Sequence, residues 1–466
     1  MKISKIIIKG FQQFNNFQLD LVNPKTGKPP DKICFIGTNG TGKTTILEKI
    51  VNLLNNFDGH KNQPQPLKNM PFFAVKFSAS SGDFFACHSP YSSPGWYDAQ
   101  ISGSGWYGDQ IGAPIVYYNA DVEQTDEWHR FVTDPTPKTV PPDFCGQQYI
   151  SSPPIPSFTS KRDLIIHVPA DRSLLLQKGD LPVTTLDEAL KLFQNFPVYH
   201  FISIENAGEF WKLLIYLVKK RESDYLDYLK QPENKNKTIE EVEAEFKKNN
   251  PEILQEIGKL WNRILEKPGL TFDIEEAGIP VQLNENLQAY VKVKSTGQPL
   301  PYNSLSSGIR NCIFKLGHIQ TLYFQRQIER GFLLVDEPEN SLYPDLLYDL
   351  IEQYLSIIQN TQFFVATHNP IIAAQFEPYE RIHLDFDEQG FVTATSGVTP
   401  IGDDPNDLLI KDFHVRSIYG KQGLQKWERF LELQRLINST SEINRKQELI
   451  TEYLEIGNAY NFAPSK

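Results

Sequence analysis

Cysteine is scarce in this chain: four residues, Cys34, Cys87, Cys145 and Cys312, among 466. No two stand close enough for a C-x-x-C pair, so neither a disulfide framework nor a zinc site is expected, and a reducing cytoplasm fits best. A basic excess is missing too. Lys and Arg number 46 against 57 Asp and Glu, a formal charge of -11, which is the wrong sign for holding nucleic acid by broad phosphate neutralisation. Any contact with nucleic acid is then a local patch or a partner's task. Long apolar runs are also absent. The first ten residues hold only three consecutive apolar ones, too few for a signal peptide, and no run approaches the roughly 20 that span a bilayer. A soluble, cytoplasmic chain is the expectation.

What is present is ordinary globular material, 40% hydrophobic and 22% charged, enough to bury a sizeable core and at odds with disorder or low complexity. At roughly 150 residues per domain the length suggests about three units, or one large domain with insertions. Ile3 to Ile8, the break at Gly10, and Phe17, Leu19 and Leu21 alternating with polar positions predict a β-hairpin. A strand over Lys32–Ile36, a glycine turn and a helix from Thr44 to about Asn55 predict a βα unit. From 58 to 160 the chain turns rich in Gly, Ser, Pro and aromatics, with no Lys or Arg between Lys76 and Arg130. There Gly95-Trp96-Tyr97 recurs as Gly105-Trp106-Tyr107, and Gln100-Ile101 as Gln110-Ile111. A ten-residue period suits two strands of a meander. Those aromatics could pack a small β-subdomain, meet a protein partner or stack bases, though stacking platforms carry flanking cations that are missing here. A strand near Leu164–Val168 precedes Pro169-Ala170-Asp171-Arg172, and a mainly helical insertion follows. Leu270–Val293 is strand-rich, and Phe332–Val335 and Gln362–Ala366 have the continuous apolar pattern of strands buried in a parallel sheet. The expected division is 1–57, 161–184 and 270–400 for one α/β lobe, a β insertion at 58–160, a helical insertion at 185–269 and a helical tail at 401–466.

The strongest chemical signal is Gly37-Thr38-Asn39-Gly40-Thr41-Gly42-Lys43-Thr44. It satisfies G-x-x-x-x-G-K-[ST] between a strand and a helix, the context that motif requires. Its glycines let backbone N–H groups fold around the α- and β-phosphates at a helix N-terminus. Lys43 then reaches the β/γ-phosphates and the Thr44 hydroxyl can ligate Mg2+. Gly37, Thr38, Asn39, Gly40, Thr41, Gly42, Lys43, Thr44 and Thr45 are accordingly the expected ATP-binding residues. Phe332–Glu337 delivers two carboxylates to a strand's C-terminal end, where α/β sheets keep their ligands. Asp336 is assigned to Mg2+, and Glu337 to orienting and deprotonating the attacking water. Asn303-Ser304-Leu305-Ser306-Ser307-Gly308-Ile309-Arg310 places serine oxygens and N–H donors at a second helix start. One nucleotide does not need two cradles in one subunit, so Ser306, Ser307 and Gly308 are expected to act in trans, on the γ-phosphate held by another copy's Lys43. His368, in Val365-Ala366-Thr367-His368-Asn369 at a strand end, is placed to touch the γ-phosphate. Lys43, Glu337 and His368 form the expected catalytic set.

In that order, Walker A at Gly37–Thr44, an LSSG signature at Leu305–Gly308, Walker B at Phe332–Glu337 and a switch histidine at His368 resemble ABC-type AAA ATPases of the SMC, RecF and OLD kind. Gly10-Phe11-Gln12-Gln13-Phe14 is similar to their N-F-x-x-F opening, with glycine in place of asparagine, and Glu337-Pro338-Glu339-Asn340-Ser341-Leu342-Tyr343-Pro344 looks like the OLD-type E-P-E-x-x-L-H-P, with Tyr343 for histidine. The resemblance implies an α/β P-loop NTPase fold, a mixed central sheet flanked by helices, and head-to-tail dimers enclosing two ATP molecules. Gln100 and Gln110 are candidates for its glutamine-loop residue. The stretch from Lys43 to Ser306 is too short, and too little helical, for the hundreds of heptad residues of a long coiled coil. The residues after His368 read as helices rather than as a Toprim nuclease. Asp403-Asp404-Pro405-Asn406-Asp407-Leu408-Leu409, Phe413-His414-Val415 and a helix with Glu428, Leu431 and Leu433 resemble the tails of stand-alone anti-phage ATPases of the Septu and retron-associated kind, as does Pro169-Ala170-Asp171-Arg172 their P-A-E-R stretch. That likeness implies a cytoplasmic, oligomeric, ATP-hydrolysing sensor and scaffold that holds a separate effector, often an HNH nuclease. A RecF-like repair ATPase that clamps DNA is the alternative, and a transporter motor a distant third.

Overall fold

The computed structural model describes residues 1–55, 72–79, 82–88, 115–119, 123–124, 162–170, 197–203, 207–273, 291–300, 304–324, 326–415 and 417–462. They divide into two compact units, Met1–Gly402 and Asp403–Lys466.

The first unit opens with the expected hairpin. β1 (Lys2–Phe11) runs through Gly10 and turns at Gln12, in left-handed backbone, into β2 (Phe14–Asp20). β1 also pairs with β4 (Phe72–Ala79), followed by β5 (Gly82–His88) and β6 (Ile115–Asn119), giving an antiparallel five-stranded sheet in the order β2-β1-β4-β5-β6. The described part of 58–160 therefore extends the sheet begun at the N-terminus instead of closing a core of its own. The two Gly-Trp-Tyr repeats, Gln100 and Gln110 lie outside the described residues.

The second sheet is mixed and seven-stranded. β3 (Lys32–Gly37) lies between β12 (Thr361–Ala366) and β13 (Arg381–Phe386). β11 (Arg330–Asp336) follows β12, then β7 (Asp163–Val168) and β8 (Tyr199–Phe201). These strands are parallel, and β14 (Val392–Ser396) closes the other edge antiparallel to β13. β7 and β12 are buried along their whole length, as are all but the first residues of β3 and β11. That is why they read as continuous apolar runs rather than alternating ones. At the far end of β11 the Arg330 guanidinium grips the buried Asp163 carboxylate of β7 at 2.6 and 2.7 Å.

One apolar core joins the two sheets through α1 (Lys43–Asn55). Ile46, Leu47, Ile50 and Leu54 recur at helical spacing and belong to one buried cluster with Ile6 and Phe77 of one sheet and Phe35, Phe332 and Phe364 of the other. The Phe77 ring stands edge-on to Phe332, centroids 6.2 Å apart. A buried amide clasps the sheets as well. Gln362 Oε1 accepts from Ile3 N at 2.6 Å, while its Nε2 donates to Ile3 O at 2.9 Å and Pro30 O at 3.1 Å.

Three helices, α2 (Ala207–Leu229), α3 (Ile239–Asn249) and α4 (Ile253–Leu265), form the described part of the helical insertion, followed by the hairpin of β9 (Leu270–Phe272) and β10 (Val291–Val293). In α4, Ile253, Ile257, Leu260, Trp261 and Ile264 bury one face. That face docks on α5 (Ser307–Tyr323), where Trp261 Nε1 donates to Ile313 O at 2.8 Å and the indole covers Gly317. Short helices α6 (Pro344–Leu347), α7 (Leu350–Ile357) and α8 (Pro370–Ala373) link the later strands. The second unit holds α9 (Pro405–Lys411), α10 (Lys421–Ser439) and α11 (Ile443–Tyr460). There Phe430, Leu433, Leu449, Ile456 and Phe462 bury a small core, and Arg429 pairs both oxygens of Glu452 at 2.9 Å. Among the described residues no helix is long and apolar enough to cross a membrane.

Candidate nucleotide site

The register of the central sheet assembles the site. Phe35 of β3 pairs with Ala366 of β12, and Ala366 pairs with Asp336 of β11. Three neighbouring parallel strands therefore finish in one row, with Gly37, His368 and the Asp336-Glu337 pair at or just beyond their C-terminal ends. Two backbone bonds lock the row: Thr367 N donates to Phe35 O at 3.0 Å and Glu337 N to Ala366 O at 2.9 Å. Such strand ends are where open α/β sheets hold ligands.

The turn after β3 begins at a glycine for a steric reason. Gly37 sits at φ +141°, and a Cβ there would lie 2.1 Å from the carbonyl oxygen of Leu384 on β13. Only glycine lets the two strands pair so closely while the chain leaves the sheet. The outer side of the loop is steadied by Gln13, whose Nε2 donates to Gly40 O at 2.9 Å.

Lys43 opens α1 and folds back over the loop, Nζ donating to Gly37 O and Thr38 O at 2.9 Å each. Burial pulls its pKa down to about 8, against the opposing charges of Asp336, Glu337 and Glu339. Neutral carbonyls take two of its three donors, and among the described residues no carboxylate bonds Nζ directly, although three stand near enough to act on its charge. Beside it Thr44 Oγ1 donates to Asp336 Oδ2 at 2.7 Å, and Asp336 is buried. A buried carboxylate touching a hydroxyl is a hard-oxygen pair of the type Mg2+ prefers. Glu337 is half-buried and held at φ +48°, left-handed backbone that is uncommon outside glycine and that concentrates at functional sites. His368 is exposed.

Glu339 belongs to this row, although the motifs assign it nothing. Its Oε1 accepts from Thr367 Oγ1 and, at 3.2 Å, from His368 N. Its Oε2 is buried with no hydrogen-bond partner among the described residues. Burial raises its pKa and the neighbouring Glu337 adds to that, while the bonds from Thr367 and His368 oppose it. The E-P-E spelling is the sequence signal that could have found it.

Ser306 caps α5, its Oγ accepting from Ile309 N at 3.4 Å. Ser306 is exposed, Ser307 half-buried and Gly308 buried. Gly308 has a role inside its own chain, since a Cβ on it would lie 1.9 Å from Ser341 O. The start of the signature helix thus rests backbone to backbone on the segment that follows Walker B. Among the described residues no hydrogen bond joins Ser306, Ser307 or Gly308 to residues 37–45. Asn303, Asp171 and Arg172 lie outside the described residues.

A family model described as an AAA ATPase domain matches residues 1–90 and 176–373. The chain belongs to this family. The matched stretches of this AAA ATPase domain contain β1–β5, α1–α8 and β8–β12, and with them every member of the row just described. Three solved structures are similar to the chain at low identity. An SmcHead bound to the C-winged helix domain of ScpA is 13% identical, covers 84% of this chain and 97% of its own, and has a TM-score of 0.39. The SMC head domain from Thermotoga maritima is 11% identical, with 86% and 100% covered and a TM-score of 0.37. The Smc head domain with an extended coiled coil bound to the C-terminal domain of ScpA, derived from Pyrococcus furiosus, is 13% identical, with 84% and 96% covered and a TM-score of 0.37. No curated protein matches the sequence.

Proposed function

We propose that this AAA ATPase domain binds ATP with Mg2+ and hydrolyses it, as the sensor and scaffold subunit of an anti-phage defence system whose killing chemistry resides in a separate effector, an HNH-type nuclease. The observation that carries the ATPase reading is the row of strand ends, with a lysine bonded only to backbone carbonyls, a hydroxyl–carboxylate pair and a second carboxylate gathered there. Residues 37–45 cradle the phosphates, Lys43 offers its remaining donor to them, and Thr44 and Asp336 would hold Mg2+. That ion, when bound, supplies positive charge against the phosphate oxygens. Glu337 takes the proton of the attacking water, and His368 steadies the terminal phosphate. Ser306, Ser307 and Gly308 complete the site of a second copy, so the working form is a dimer with two nucleotides between the subunits. Its place is the cytoplasm.

The defence role is supported by the tail residues quoted above and by the acidic balance, which leaves attack on nucleic acid to a partner. The test is ATP turnover by the purified full chain, with and without Mg2+ and duplex DNA, beside co-purification with the product of the adjacent gene. Mg2+-dependent hydrolysis indifferent to DNA, with a nuclease co-purifying, is the expected result. Hydrolysis stimulated by duplex DNA and lost with added salt would replace the defence role by DNA repair. Absence of hydrolysis would sink the ATPase reading itself.

A further inference from the structure

Glu339 is the one carboxylate at the strand-end row to which neither phosphate binding, metal binding nor water activation gives a task. It lies two residues past Glu337, on the turn leaving β11, yet its bonds reach sideways to the loop leaving β12. Both bonds use the same oxygen. Thr367, fully buried, donates its hydroxyl to Oε1 and through the same Oγ1 accepts from Asn369 N at 2.9 Å, while His368 N donates to Oε1 at 3.2 Å. The backbone on both sides of the histidine is thereby tied, directly or through one hydroxyl, to one carboxylate. The other oxygen is buried with no hydrogen-bond partner among the described residues. Such an arrangement costs free energy, and an unsatisfied buried group of this kind calls for an explanation beyond stability. Simple packing would be served better by an apolar residue at 339. What only an acceptor can do at this position is hold the 367–368 backbone against the end of β11.

We propose that Glu339 is the positioning residue of the switch loop, fixing Thr367 and His368 to the Walker B turn so that His368 and Glu337 face the substrate as one rigid pair. This rests on the ATPase reading. Glu339 does not touch ATP; it acts through His368. Loss of the acceptor therefore slows the chemical step and leaves nucleotide binding, which belongs to residues 37–45, largely alone.

The test measures kcat and KM for ATP, and separately the equilibrium binding of a fluorescent ATP analogue, for the full chain and four variants: E339A, E339Q, H368A and E339A/H368A. A fifth, T367V, removes the hydroxyl from the opposite side of the contact and stands in should E339A fail to fold. Expected are a kcat at least tenfold lower in E339A, with KM and analogue affinity within about twofold, and recovery of most of the rate in E339Q, whose amide oxygen still accepts. T367V should fall in the same direction as E339A, and the double variant should be no slower than H368A. A wild-type kcat in both E339A and T367V, or an E339A loss as large in the H368A background as without it, overturns the proposal while leaving the ATPase reading intact. A wild-type chain that neither binds nor hydrolyses ATP overturns both.

Discussion

Lowering the pH should destabilise the first unit through two buried histidines, by an amount the structure lets us work out. His318 sits on α5 with no exposure, between the rings of Phe210 and Phe314 at 5.7 and 5.9 Å. Burial pushes its pKa down to about 3; the nearby Glu209 works against this and His200 with it. Neither ring nitrogen has a hydrogen-bond partner among the described residues. His167, on β7 against the edge of Phe201, is lowered by burial to about 4. In the unfolded chain both titrate at the ordinary 6.5. The sign follows from proton binding. Below 6.5 the unfolded chain takes up protons that the folded one refuses, so stability is complete above 6.5 and falls with pH until the folded values near 4 and 3 are reached. Each histidine contributes about 1.4 kcal/mol per pH unit in that window, so between about pH 7 and about pH 5 each accounts for about 2 kcal/mol and the pair for about 4. Urea denaturation of wild type and H318L at the two pH values reads this directly. The loss on acidification should shrink by about 2 kcal/mol in H318L. An undiminished loss would refute the claim that a neutral, buried imidazole at 318 is responsible.

Four further outcomes follow from the geometry. Glu337→Gln should keep ATP binding while turnover falls by roughly 10² or more, with nucleotide-trapped dimers accumulating on light scattering; wild-type turnover would remove Glu337 from the catalytic role. Gly308→Ala forces a methyl to within 1.9 Å of Ser341 O, so thermal melting should show a lower midpoint even without nucleotide, which a purely trans role for Gly308 would not cause. Gly37→Ala meets Leu384 O at 2.1 Å and should abolish binding of a fluorescent ATP analogue by displacing the loop. Asp163→Asn leaves Arg330 a single neutral acceptor in place of the two-pronged carboxylate and should cost about 1.5–3 kcal/mol in a denaturation curve, the scale of a hydrogen bond to a charged group.

Much of this site can be read from the sequence because its chemistry is local. A glycine loop between an apolar strand and a helix names its own geometry, and Phe332–Val335 and Gln362–Ala366 announce buried parallel strands without knowledge of their neighbours. What cannot be read is what lies across from what. The pairing of β1 with β4 joins stretches that composition alone assigns to different regions, because strand partners are chosen by register and shape rather than by residue type. Glu339 shows in the sequence only as the second acid of E-P-E, with nothing beside it to say what it holds. Its meaning comes from Thr367 and His368 on the loop leaving another strand, and a carboxylate in a turn looks like any solvated acid. Gly308 reads as part of a phosphate cradle, while its close approach to Ser341 exists only once the chain is folded. His318 reads as one polar position in a helix and is a neutral ring among phenylalanines.

The place of β3 in its sheet sets a timetable for synthesis. Both of its neighbours, β12 and β13, come from residue 361 onward. β3 therefore leaves the ribosome with neither of its neighbours made. At about 5–20 residues per second, its partners arrive roughly twenty seconds to a minute later. Throughout that interval Ile33, Cys34, Phe35 and Ile36, all fully buried in the finished protein, are exposed to solvent or to whatever chaperone covers them. The glycine loop at its end cannot take its final shape until nearly the last strand of the sheet has been made.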